Sequence, residues 1–363
     1  IGDVVEACSA EEFRSDVQLS HYRSKHNLAL AGDYIFTRKA SEGRHSSVDL
    51  LKKVVDSLQS GAKDNRFCII ATYGHGKSHF ALAMANYFGE TVDSSGCQAV
   101  MRNLEHTIAN DAPAYGIFQT YKAYHKPSLV LVLRGDELSD LHTKFFRAVE
   151  EALGALGLGE TVAPPFWYKG AHDFVVGIRS ARREEANVFL AKHDLDLDLL
   201  LDRIEQREMA AGTIAADLCR HLHNVNPQFE KASGLGDALD WLVTELCSES
   251  GPFSSVLILF DEFGAFVRDY SLTALERPGA PLQDLLNGVE SHKGRAVFVA
   301  FAQRDPDLVV RLILENSPDS LELMTKELSR IPNPAGRPHL QSSLEEVLDA
   351  YIRQVGHEWE KLR

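Results

Sequence analysis

Two clusters in this 363-residue sequence have the residue types and spacing to do chemistry. One is Tyr73-Gly74-His75-Gly76-Lys77-Ser78-His79; the other is Asp261-Glu262. Glycines let backbone N–H groups approach an anion, a lysine adds mobile positive charge, and a serine hydroxyl is a hard oxygen donor for a divalent cation. Together these groups suit a nucleoside triphosphate and its magnesium ion. Adjacent carboxylates suit the other half of that chemistry: one holds the hydrated cation, the other polarises an attacking water.

The flanking residues supply the elements that would position these groups. Phe67-Cys68-Ile69-Ile70-Ala71 has the length and apolarity of a buried strand, and Ala81-Leu82-Ala83-Met84-Ala85 is rich in helix formers. Strand, glycine-bearing loop and a helix opened by Lys77-Ser78 is the order of a P-loop. In that reading ATP binds along Tyr73 to His79, Lys77 reaches the β- and γ-phosphates, and Ser78 ligates magnesium. The consensus G-x-x-x-x-G-K-[ST] would put a glycine where Ala71 stands, leaving Gly74 and Gly76 to admit the phosphates. The bland alternative is a chance Gly-Lys-Ser after a core strand.

Val256 to Phe260 is a second apolar run, and it ends in Asp261-Glu262, the Walker B pattern. Asp261 is expected to hold magnesium alongside Ser78, and Glu262 to orient the water. Leu129 to Leu133 and Arg295 to Phe301 are further continuous apolar runs. Continuous rather than alternating apolarity predicts strands buried on both faces, as in a parallel α/β sheet. Gln303, just past the last run, stands where a strand inserted between the P-loop and Walker B strands would present a polar sensor to the γ-phosphate. It could equally be a strand-end residue with no role. Arg134 ends its strand on the edge where such sheets bind ligands, and a surface arginine without a role is the competing reading. The expected fold class is therefore α/β: a P-loop NTPase of the ASCE/AAA+-like kind, a parallel sheet flanked by helices, with an all-helical insertion.

The expected organisation is a lead-in over 1–43, with short strands at Asp16 to Leu19 and Asp33 to Thr37. The first part of the core spans 44–156, including a helix from Leu141 to Leu153 covering the sheet. A helical insertion spans 157–250, opened by Pro164-Pro165, with helices Phe174 to Leu190, Leu195 to Met209, Gly212 to His223 and Leu235 to Cys247. The second part of the core is 251–330. Residues 331–363 are expected to form a proline-rich linker, Ile331 to Pro338, and an amphipathic segment from Ser342 to Trp359. Asp194, Asp196, Asp198 and Glu205 mimic the spacing of a calcium loop, but Leu199 occupies its obligatory glycine position, so an amphipathic helix start is expected instead.

Hydrophobic content of 44% and charged content of 25% fit a globular chain, and no apolar run reaches the length of a membrane span. The five cysteines are scattered with no C-x-x-C pair, which points to reduced thiols in the cytoplasm rather than disulfides or zinc. The missing initiator Met, and an end inside a helical pattern, point to a fragment of a longer protein. A net charge of −14 argues against sequence-independent DNA binding by the chain as a whole.

Taken together, GHGKSHFALAMANYFG, LILFDEFGAFV and AVFVAFAQRD resemble the large P-loop ATPases of bacterial anti-phage defence and DNA-modification systems. The big ATPase of the BREX systems is the nearest in character, and the ATPase subunit of phosphorothioate-modification systems is a rival. The similarity covers roughly 45–155 and 250–335 and leaves the insertion unmatched. It implies an ATP-hydrolysing switch or motor, in homo-oligomeric form or not, working with the protein subunits of a DNA-modification or restriction complex. DNA would be engaged indirectly or through other domains. A signalling ATPase that changes oligomeric state on sensing phage, and a nucleotide-binding scaffold without turnover, are the alternatives. Any arginine finger would come from Arg304, Arg311 or Arg330, between which the sequence does not choose.

Overall fold

The computed structural model describes residues 17–72, 74, 76–108, 111–159, 166–206, 208–277, 279–341 and 346–347. Four of the apolar runs form strands: β1 (Arg66–Ile70), β2 (Ser128–Arg134), β3 (Ser255–Asp261) and β4 (Ala296–Ala302). They make one parallel sheet in the order β1-β4-β3-β2, so β4 lies between the strand that leads into Lys77 and the strand that ends in Asp261. Successive side chains of a strand point to opposite faces, and both faces are covered here. On one face Phe67, Ile69, Val130, Leu257, Leu259, Val297, Val299 and Phe301 share a core with Phe80, Leu82, Met84 and Tyr87 of the helix Lys77–Gly89. The helices Ser47–Ser57, Ser95–Ile108 and Ala112–Tyr124 contribute to the same core through Leu51, Val100 and Phe118. On the other face Phe260 and Phe298 meet Phe263 of the helix Phe263–Leu272, with ring centroids 5.2 and 6.0 Å apart.

The chain divides into two compact units. The first is 1–138, 243–278 and 289–363 and contains the whole sheet; the second is 139–242 with 279–288. The expected insertion began at 157, whereas the second unit begins at Ser139 and so takes in the helix Leu141–Ala155, which sequence periodicity assigns to the sheet. Amphipathic spacing says that a helix has an apolar face, not what covers it. Within this unit Trp167–Ala181, Arg183–Leu190, Leu197–Glu205 and Met209–His223 bury Val175, Leu190, Leu200, Ile204 and Leu218 together. The run Phe174 to Leu190 is two helices rather than one, because Arg182 leaves helical geometry at φ −141°. Asp196 caps the helix Leu197–Glu205 by accepting from Leu199 N at 2.8 Å, and Asp198 pairs with Arg179 and Arg183. Those carboxylates are thus employed in capping and ion pairing, and among the described residues no group of three or more acidic, His or Cys side chains is placed to hold a metal ion.

The structure corrects two expectations in the first unit. The lead-in has no strands among its described residues: Leu19–His21 is a single helical turn, Asn27–Asp33 is a helix, and 34–40 has no regular secondary structure. Tyr34 and Phe36 gave the alternating apolar pattern because they pack on Phe80, with centroids 5.6 and 6.4 Å away. The supposed linker also has structure. Gly336 O and Pro338 O accept from Cys68 N and Ile70 N at 2.7 and 2.9 Å, and Leu340 N donates back to Ile70 O at 2.9 Å. Prolines remove donors but leave carbonyls, and it is mainly carbonyls that the free edge of β1 needs here. The Ser342 to Trp359 segment lies outside the described residues apart from 346–347.

Cys68, Cys97, Cys219 and Cys247 are buried and free. No helix among the described residues is long and apolar enough to cross a membrane.

Candidate functional site

The parallel strands carry their C-terminal ends to one edge of the sheet, and the residues singled out by their chemistry converge there. Past β1, Gly74 and Gly76 adopt φ of 81° and 70°, a left-handed geometry that a side chain would strain. Gly76 caps the helix Lys77–Gly89, and its carbonyl accepts from Phe80 N at 2.8 Å. The first N–H groups of that helix have no partner within the helix, and the positive end of its dipole faces the same way, so this end favours an anion. Lys77 is buried, with Nζ donating to Thr72 O at 3.3 Å. Burial pushes its ammonium below the ordinary lysine value, opposed by the negative charges of Glu262 and Asp261.

Asp261 follows Leu257 and Leu259 at the alternate positions of β3, so it shares the face of the sheet covered by Lys77–Gly89. Parity thus brings the Asp261 carboxylate and Ser78 together, close enough for the Ser78 hydroxyl to favour the charged form of the carboxylate. Burial raises the Asp261 carboxyl above its usual value, and the nearby Ser78 hydroxyl, the Glu262 N–H at 2.9 Å and the Lys77 charge pull it back. Glu262 is half-buried in a left-handed conformation, φ 50° and ψ 38°, at the start of the helix Phe263–Leu272. Its carboxyl is also raised, first by burial and then by the neighbouring Asp261 charge, with Lys77 opposing. The two carboxylates and the lysine therefore sense one another's charge.

Beside them, Arg134 pairs in register with Asp261. Its guanidinium is forked onto Asp136 at 3.1 and 2.6 Å, with Glu137 at 3.8 Å. Gln303 follows β4, exposed, one residue beyond Ala302, whose carbonyl accepts from Ala71 N at 3.0 Å. Ala71 itself is buried at the end of β1, where it belongs to the core rather than to the loop. His79 is turned to other work: its Nε2 meets Leu30 O at 2.5 Å and its ring lies 5.1 Å from that of Tyr34. Tyr73 and His75 lie outside the described residues. Arg304 and Arg311 are exposed, and Arg330 is partly buried.

Gly135 is a member of this edge that sequence reasoning passed over. A Cβ there would stand 2.0 Å from the carbonyl oxygen of Glu262, and its N–H donates to Asp261 O at 2.9 Å. The signal was present in Arg134-Gly135-Asp136, a glycine in the turn directly after a buried strand, but close approach is a tertiary fact. Tyr34 was missed as well; its ring edge lies 4.0 Å from where a Cβ on Gly76 would be.

The class that fold and site define is an α/β protein with a four-stranded parallel sheet flanked by helices, its polar groups gathered at the C-terminal edge. Comparison with known protein families finds no family that the chain matches, and comparison with curated proteins and with solved structures finds no match either.

Proposed function

We propose that the chain binds ATP with magnesium at the edge formed by Gly74, Gly76, Lys77, Ser78, Asp261 and Glu262, and hydrolyses it. The observation that carries this reading is the convergence of Ser78 and Asp261 within the charge field of Lys77 and Glu262. A sequence motif can occur by chance, but a chance Gly-Lys-Ser has no reason to meet an Asp-Glu pair 183 positions later (261 − 78) at the same sheet edge. Ser78 and Asp261 are hard oxygen donors of the kind that would hold magnesium. Magnesium bound there supplies positive charge against the phosphates. Lys77 offsets further triphosphate charge, the first N–H groups of its helix cradle phosphate oxygens, and Glu262 takes a proton from water in its ionised form. Gln303 would orient that water or touch the γ-phosphate. His79, engaged by Leu30 and Tyr34, supports the helix start rather than contacting nucleotide.

The wider role follows from the resemblance: an ATP-driven switch or motor subunit of a bacterial DNA-modification or restriction complex of the anti-phage defence kind. It would work in the cytoplasm beside protein partners, with homo-oligomers an open form of it. Calorimetric titration with Mg-ATP tests the site. Measurable binding by the parent chain, abolished in Lys77→Ala, is expected, and unchanged affinity in that variant would end the reading. Turnover measured with and without DNA then separates a motor, which cycles continuously, from a switch, which performs a single slow round.

A further inference from the structure

We infer that Arg337 is a positioning residue for Gln303, and that it acts through Asp305; this rests on the reading of the sheet edge as an ATP site. Arg337 lies in the segment docked along β1 and its side chain is only 2% exposed. Its Nη1 meets Asp305 Oδ1 at 2.7 Å and Asp307 Oδ2 at 2.6 Å, and Nη2 donates to Leu328 O at 3.0 Å. Asp305 is also the N-cap of the helix Pro306–Ile313, accepting from Asp307 N at 2.9 Å. Gln303 therefore hangs on a two-residue span, 303–304, between fixed ends. On one side Ala302 is pinned to Ala71 at the end of the P-loop strand. On the other side Asp305 is pinned by its cap bond and by Arg337.

The chemistry of the contact favours geometry over stability as its purpose. A buried ion pair recovers little net free energy, because removing both charges from water costs about as much as their attraction returns. What such a pair does well is to admit one arrangement of its members. Arg337 also has its own anchorage: Gly336 O, Pro338 O and Leu340 N are all bonded to β1, and His339 O accepts from His45 N at 2.8 Å. The segment bonded along the P-loop strand thus places Arg337 and, through Asp305, the sensor residue.

The test uses the whole 363-residue chain with Mg-ATP, and the variants Arg337→Met, Asp305→Asn and Gln303→Ala. Arg337→Met leaves two carboxylates without their cation and is expected to lower the Tm. Asp305→Asn is the companion that keeps the fold, since asparagine caps helices as well as aspartate does while forfeiting the charge that Arg337 holds. Nucleotide affinity should stay within about threefold of the parent in both, because Lys77 and Ser78 are untouched. Single-turnover hydrolysis should fall about tenfold in both, within the roughly 10²-fold that a 1 Å misplacement can cost. Combining either with Gln303→Ala should slow the reaction no further than Gln303→Ala alone, the signature of residues acting as one unit. A merely structural ion pair would lower Tm and leave that non-additivity absent. Parent-like turnover in Asp305→Asn, or multiplied losses in the double variant, would overturn the inference while leaving the ATP site intact. A parent chain that neither binds nor hydrolyses ATP overturns the site reading, and this inference with it.

Discussion

The backbone of Gly135 presses against the backbone of Glu262: a β-carbon on Gly135 would lie 2.0 Å from the Glu262 carbonyl oxygen, 2.7 Å from its carbon and 3.1 Å from Phe266 Cβ. The turn after β2 and the turn after β3 therefore share space that only a hydrogen atom can fill. Glu262 takes a left-handed conformation in that crowded place, which costs a non-glycine residue on the order of 1–2 kcal/mol. That conformation swings the chain from strand to helix directly after Asp261.

Gly135→Ala is expected to destabilise the protein by about 1–3 kcal/mol, since the added methyl meets backbone rather than a yielding side-chain tip. Turnover should fall further than nucleotide affinity, because Glu262 moves and Lys77 does not. Gly264→Ala is the matched control: nothing lies within 4 Å of its added β-carbon, and helix propensity favours alanine by roughly 0.8–1 kcal/mol. Thermal melting of the two variants should shift in opposite directions. Equal shifts would mean that the Gly135 contact relaxes without cost.

Glu262→Gln keeps the side-chain volume and removes the base. Hydrolysis should drop by about 10²–10⁴-fold with ATP affinity nearly unchanged. In the parent, rate should climb with pH through a value above the ordinary 4.5 of glutamate, because burial and the Asp261 charge hold the proton on and only the ionised form accepts another. Stopped-flow phosphate release across that pH range checks both statements. A flat profile together with parent-like turnover of the variant would move the role to Gln303.

Asp261→Asn should raise the stability of the nucleotide-free protein near neutral pH while weakening magnesium-dependent ATP binding. The sign follows from linkage. Asp261 has a folded-state pKa above its ordinary 3.8, so between those two values the folded state binds more protons than the unfolded state. Stability is greatest below the ordinary value and is lost as pH rises through the raised one. Asparagine removes the ionisation and with it this loss. Each 1 kcal/mol recovered would register as about 2–4 °C for a domain of 150–250 residues. A Tm that falls at neutral pH would show that the Glu262 N–H bond, the Ser78 hydroxyl and the Lys77 charge outweigh the cost of burial.

Duplex DNA should bind this chain weakly at physiological salt. Net charge is −14, and arginines of the helical unit are already committed: Arg182 to Glu185 at 2.7 Å, and Arg179 and Arg183 both to Asp198. Each phosphate contact needs a cation free to displace a counterion. Fluorescence anisotropy with a short duplex is the measurement, and submicromolar affinity would reveal a basic groove that the overall charge conceals.

By itself the sequence determined the strands and their chemistry-bearing ends. Apolar runs such as Leu129 to Leu133 and Val256 to Phe260 could satisfy their backbones and side chains only in a sheet covered on both faces, and Asp261-Glu262 and Lys77-Ser78 stand where those elements stop. Local composition is enough for that, because strand and helix preferences act over a few residues. The tertiary structure decided which strands are neighbours, and hence that β4 delivers Gln303 between the ends of β1 and β3. It decided that a proline-rich stretch which reads as a linker lies along β1, since acceptance by Gly336 O and Pro338 O depends on a partner hundreds of residues away in sequence. It decided too that the backbone of Gly135 packs against that of Glu262 and that Arg337 is buried against Asp305 and Asp307. Close approach and buried charge pairing are properties of two segments at once, and no window along one segment contains them.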